Sequence, residues 1–149
     1  MKLLSKALII SAIFVSSYDS KAQVTTAKPN LFDAYNSTIN CPKSELDKIF
    51  TTAEGNVLKL SLGNNFQFTG VVSSSIHRYT NLQSVTIKSN KSDGLVLGIS
   101  KRINDDKSYT YIGRIINQKY GDAFELKSDN AGNYFLNKIK TDDLIEDHE

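Results

Sequence analysis

The residues able to do chemistry are few and scattered. Two histidines, His77 and His148, one cysteine, Cys41, and the run Ser73–Ser74–Ser75 are the nucleophile, base and ligand candidates. A metal site needs several such ligands converging. His77 sits in a polar stretch beside Arg78 and His148 is the second-last residue, so both read as exposed histidines. Covalent catalysis needs a nucleophile, a base and an orienting group. Ser73–Ser75 lies close to His77 in sequence only, and no G-x-S-x-G element surrounds it. Cys41 precedes Pro42 at a helix start without a thiol-enzyme signature. Paired carboxylates such as Asp105 and Asp106 fall in a turn, where they stay solvated and ionised. The segment Asp129–Asn133 resembles a calcium loop loosely, but Ala131 holds its third position and no closing glutamate follows, so it reads as a hairpin turn. No Gly-rich phosphate loop occurs. No cofactor and no metal are therefore expected. The sequence favours a non-enzymatic binding or inhibitory module, with a small hydrolase of unrecognised site as the alternative.

The ends of the chain speak to location. Lys2 and Lys6 precede the apolar run Ala7–Val15, and Ser20–Lys21–Ala22 places small residues before a cleavage point. That is the layout of a secretory signal peptide. The run is nine residues long, well short of the roughly 20 that a bilayer-spanning helix needs. Cleavage after Ala22 leaves 127 residues, enough for one domain, and an exported product, periplasmic or secreted. The mature chain then carries 15 basic and 15 acidic residues. Its net charge near zero gives no argument for nucleic acid or an anionic membrane, and no stable membrane insertion is expected after cleavage. Five acids crowd into the last eight residues, which leaves the body mildly basic. One cysteine allows no internal disulfide, so Cys41 is either a small buried hydrophobe or a link between chains. Asn36–Thr38 and Asn90–Ser92 fit the N-glycosylation pattern, which matters only in a eukaryotic secretory pathway.

These segments divide into a signal peptide over 1–22, a flexible lead-in over 23–40, a single domain over 41–141 and an acidic tail over 142–149. Within the lead-in, Leu31, Phe32 and Tyr35 bring apolar groups that suggest docking. Ser44 as N-cap, Leu46, Ile49, Phe50 and Ala53 at helical spacing, and Gly55 as terminator predict a helix over Glu45–Glu54. Alternation predicts strands over Val57–Leu62 and Phe66–Val72, and around Val85–Ile87. Further strands are expected over Leu95–Ile103, Tyr109–Ile116, Ala123–Lys127 and Asn133–Lys140. Ser73–Leu82 is polar and reads as a longer loop. The expected fold is α+β: one N-terminal helix packed on a curved, mostly antiparallel β-meander. A small β-barrel or sandwich with a helical cap is the alternative.

A five-residue loop over Asn104–Ser108 sets one hairpin register: Ile103 faces Tyr109, Arg102 faces Thr110, Lys101 faces Tyr111, Gly98 faces Arg114 and Leu97 faces Ile115. Apolar pairs on both faces place this hairpin inside the sheet rather than at its edge. Lys101, Arg102, Tyr109, Tyr111 and Arg114 gather on it. Tyr and Arg concentrate binding energy at interfaces, so these five are the candidate contact residues for an envelope or secreted protein partner.

Finally, Phe32, Ile39–Cys41, Ser44–Lys48, Asn64–Phe66, Asn81–Val85, Ser100–Lys107, Gly113–Ile116, Asp122–Lys127 and Asp142–Ile145 carry a likeness across most of the mature chain. On these residues the chain resembles small exported proteins of Gram-negative bacteria with no assigned function. The resemblance implies export and carries no activity and no catalytic residues.

Overall fold

The computed structural model describes residues 27–63 and 65–144. The expected signal peptide, its cleavage point and the last five residues lie outside them. Eight strands follow one another: β1 (Thr38–Cys41), β2 (Val57–Ser61), β3 (Gln67–Tyr79), β4 (Leu82–Ser89), β5 (Val96–Ile103), β6 (Tyr109–Ile116), β7 (Asp122–Ser128) and β8 (Tyr134–Lys140). One helix, α1 (Lys43–Thr51), joins β1 to β2. All pairings are antiparallel and the order is β1-β8-β7-β6-β5-β4-β3-β2. Consecutive strands are therefore neighbours, except that β1 returns to the last strand. The sheet curls into a half-barrel. The expected antiparallel meander is present, but nine α-helical residues and a three-residue 3-10 turn (Asp142–Leu144) beside eight strands make the molecule largely β, and α+β overstates the helix.

The inward face holds the core. Leu58, Leu60, Phe68, Val72, Val85, Ile87, Leu97, Ile99, Tyr111, Ile115, Phe124, Leu126 and Leu136 are buried at alternate strand positions, as a strand's two-residue side-chain period requires. Leu46 and Ile49 of α1 and Phe32 and Phe66 of the connecting segments complete it.

Three local expectations are corrected. Ser73–Leu82 is not a loop. It forms the outer half of β3, a two-residue turn and the start of β4. Polar residues there pair backbone to backbone and need no burial, so hydropathy could not reveal them. A register shift between Val72 and Ser74 adds Ser73 as an extra residue, whose Oγ donates to Thr86 O at 3.1 Å. The helix begins two residues earlier than expected. Pro42 precedes it with φ −62°, no side chain caps it, and Ser44 lies inside it. It also stops early, since the Thr51 and Thr52 hydroxyls both donate to Lys48 O. Ala53 and Gly55 then form the turn into β2, with Gly55 at φ 86°.

The third correction concerns the lead-in. From Lys28 onward it is tied down. Gly121 N donates to Pro29 O at 2.8 Å, and the buried Asp122 carboxylate accepts Leu31 N (2.6 Å) and Phe32 N (2.9 Å). Thr38–Cys41 pairs with β8, from Thr38 opposite Asn137 to Cys41 opposite Tyr134.

Candidate functional site

The β5–β6 register is the one expected from loop length: Ile103 faces Tyr109, Lys101 faces Tyr111 and Gly98 faces Arg114. The loop is held by its own polar groups. Ser108 N and Oγ both donate to Asp106 Oδ1, and Asn104 Nδ2 donates to Ser108 Oγ at 2.9 Å. Both strands are interior to the sheet.

That register splits the five candidate residues between two faces, because side chains alternate along each strand. Lys101, Tyr109 and Tyr111 share the inward parity of Ile99 and Ile115, whereas Arg102 and Arg114 point outward. They do not form one patch. Tyr111 is a core residue with 1 % exposure. Its hydroxyl donates to Asp47 of α1, and its N–H donates to the Tyr134 hydroxyl at 3.2 Å. Burial, reinforced by the Asp47 hydrogen bond, holds its phenol above the ordinary value. Arg114 Nη2 pairs with Glu125 at 3.1 Å on the outer face.

The inward group stays together at the hairpin end. The Lys101 ammonium lies 4.0 Å from the Tyr109 ring centroid, with Phe50 at 5.7 Å and Tyr111 at 5.9 Å behind it. Phe50 packs on Tyr111 and Tyr111 on Tyr134, at 5.6 and 5.4 Å. The Tyr134 hydroxyl donates to Tyr109 O at 3.3 Å. Tyr109 and Ile103 nevertheless keep 41 % and 39 % of their surface open. A buried aromatic stack thus supports an exposed tyrosine, an exposed isoleucine and a lysine held by ring quadrupoles. Phe50 and Asp47, which reach this group from α1, are contributors that strand reasoning missed; their helical spacing was the available signal.

The thiol and the histidine do not make a nucleophilic pair. Cys41 is buried, and burial, followed by the charge of Glu45, pushes its thiol from 9.0 up to about 12. Burial thus favours the protonated thiol over the thiolate at neutral pH. His77 is exposed near the end of β3, and His148 lies outside the described residues. Among the described residues no group of three or more His, Cys, Asp or Glu side chains is placed to hold a metal, and no helix is long and apolar enough to cross a membrane. A cleft of about 540 Å³ opens beside Cys41, between Pro42, Lys43, Asn133 and Tyr134. Another of about 370 Å³ lies on the outer face over Gly98, Ser100 and Arg114. No protein-family model, curated protein or solved structure matches the chain.

Proposed function

We propose that the chain is an exported, non-enzymatic binding module that engages an envelope or secreted protein through the hairpin end of its inward face. The supporting observation is the Lys101–Tyr109 pair at 4.0 Å, backed by Phe50 and Tyr111. A tyrosine whose orientation is set before contact loses little entropy on binding, and its ring and hydroxyl serve apolar and polar partners together. Ile103 beside it adds open apolar area. Export rests on Lys2, Lys6, the Ala7–Val15 run and the Ser20–Lys21–Ala22 junction.

The test is crosslinking in envelope extract, identification of the crosslinked protein, and affinity measurement with that protein purified. Tyr109→Ala is expected to weaken binding by about 2 kcal/mol, the scale of an interface hot spot. Its melting temperature should stay near that of the parent, because Tyr109 is half open. Unchanged affinity for both Tyr109→Ala and Lys101→Ala removes the proposal. Turnover in a broad hydrolase screen by the same preparation would favour the enzymatic alternative.

A further inference from the structure

The near-neutral total charge conceals a segregated arrangement. Along β4 to β7 the outward positions hold Lys88, Arg102, Arg114 and Lys127, all exposed, against a single acid, Glu125. That acid is already committed: Arg114 Nη2 lies 3.1 Å from its Oε1 and Lys127 Nζ 2.7 Å from its Oε2. Burial raises the Glu125 carboxyl, but the hydrogen bonds and charges of Lys127 and Arg114 outweigh it and hold the group ionised. Amid these cations stand three open apolar side chains of the same face: Ile76 (49 %), Tyr79 (71 %) and Ile112 (59 %). Ile76, Ser84, Ser100 and Ile112 form one row across four strands, with the two hydroxyls paired at 2.8 Å on its floor. The 370 Å³ cleft lies beside this row, where Gly98 presents no side chain and Ser100, Arg114 and Lys127 converge.

We infer that this outer face docks on the surface of an anionic phospholipid bilayer. Cations ringing exposed aliphatic and tyrosine side chains meet headgroup charge and the acyl boundary at once. Glu125 lines the cleft together with Arg114 and Lys127 and pairs with both, so the cleft adds one net positive charge to a face that carries four cations against one acid. The outer side of a curled sheet is convex, so it touches a plane along a few strands, and the patch occupies that width. A lone acidic protein segment would be served by the charges and would leave Ile76, Tyr79 and Ile112 unused. This contact is peripheral and uses the face opposite the proposed protein-binding group, so the two readings stand or fall separately.

The test is vesicle sedimentation of the protein purified in its exported form. Vesicles of phosphatidylglycerol with phosphatidylethanolamine should bind it, and phosphatidylcholine vesicles should not. Each lysine or arginine near the surface contributes about five-fold in partitioning, so Arg102→Glu with Lys127→Glu should lower it by at least about 25-fold. Ile112→Asp should weaken binding even though net charge changes by only one unit, and added salt should weaken all of it. Lys43→Glu, on α1, alters charge without touching this face and should bind as the parent does. Retained melting temperature certifies each variant. Equal binding to both vesicle types, full binding by the Arg102→Glu, Lys127→Glu protein, or an equal loss in Lys43→Glu overturns the inference. So does capture of a defined acidic protein by this face with no vesicle binding.

Discussion

Cys41 and Asp122 show how single buried side chains bear on stability. The Cys41 thiol releases its proton at about 12, against 9.0 for an ordinary thiol. The unfolded chain therefore sheds that proton first as pH rises. Stability from this group is complete below 9.0 and is lost progressively as pH climbs toward about 12. Denaturant melts at pH 8 and pH 10.5 should show the decline, and Cys41→Ala should flatten it. In the folded protein at pH 8 a maleimide should react only as fast as the chain opens. Asp122 acts by accepting the Leu31 and Phe32 amides. Asp122→Ala leaves two donors without their acceptor, at a cost of about 2–3 kcal/mol. Urea midpoints should fall accordingly, with Phe32 amide exchange accelerated toward the global rate. An unchanged midpoint would mean that the segment docks by its phenylalanine alone.

At the scale of elements, legibility followed burial. The β5–β6 hairpin could be read to the residue because a five-residue loop and paired apolar side chains leave one register open. The same register already implied that Lys101 and Arg102 face opposite ways, so the division of the candidate residues was available from side-chain alternation. Other elements left no such trace. Strand β1 is four residues long and finds its partner β8 almost a hundred residues later, a pairing no local pattern encodes. Outer β3 is Ser-Ser-Ser-Ile-His-Arg-Tyr; it pairs with β4, and the side-chain bonds that reinforce it, at Ser73 and Ser75, lie at its inner end. Strand β2 reaches only to Val57 opposite Val71, so beyond the register shift β3 is itself an edge. Its stability should differ along its length. Amides of Ile76–Tyr79 should exchange well ahead of those of Phe68–Val72, with the break at Ser73. Uniform protection along β3 would show that the outer half is cooperative with the core.

For the whole molecule, packing must supply the stability, because a single cysteine forms no disulfide within the chain. Chelator or reductant should leave the melting temperature unchanged, since the described side chains offer no metal cluster and Cys41 is the sole thiol. A drop of several degrees with either reagent would contradict this. Intact mass of the exported protein should begin at Gln23, and a species retaining Met1–Ala22 would remove the cleavage proposal. The packing has a further consequence at the sheet's ends. In strand order β1 and β2 are the two edges, yet the curl brings them together at one point. A Cβ on Gly63, just past β2, would clash with Ile39 Cγ2 of β1 and lie 3.4 Å from Asn40 O. The glycine is thus required by the neighbouring edge as well as by its own backbone, whose φ is +159°. Gly63→Ala should destabilise by about 1–3 kcal/mol through overpacking. Ile39→Ala removes the opposing methyl, and in that background the same glycine change should cost less, the backbone share of the cost remaining. The coupling in this double-mutant cycle should reach about 1 kcal/mol or more, although the two positions are 24 apart in sequence with helix α1 between them. Simple additivity would mean that the edges do not press on each other, and that α1 alone bridges the open side of the half-barrel.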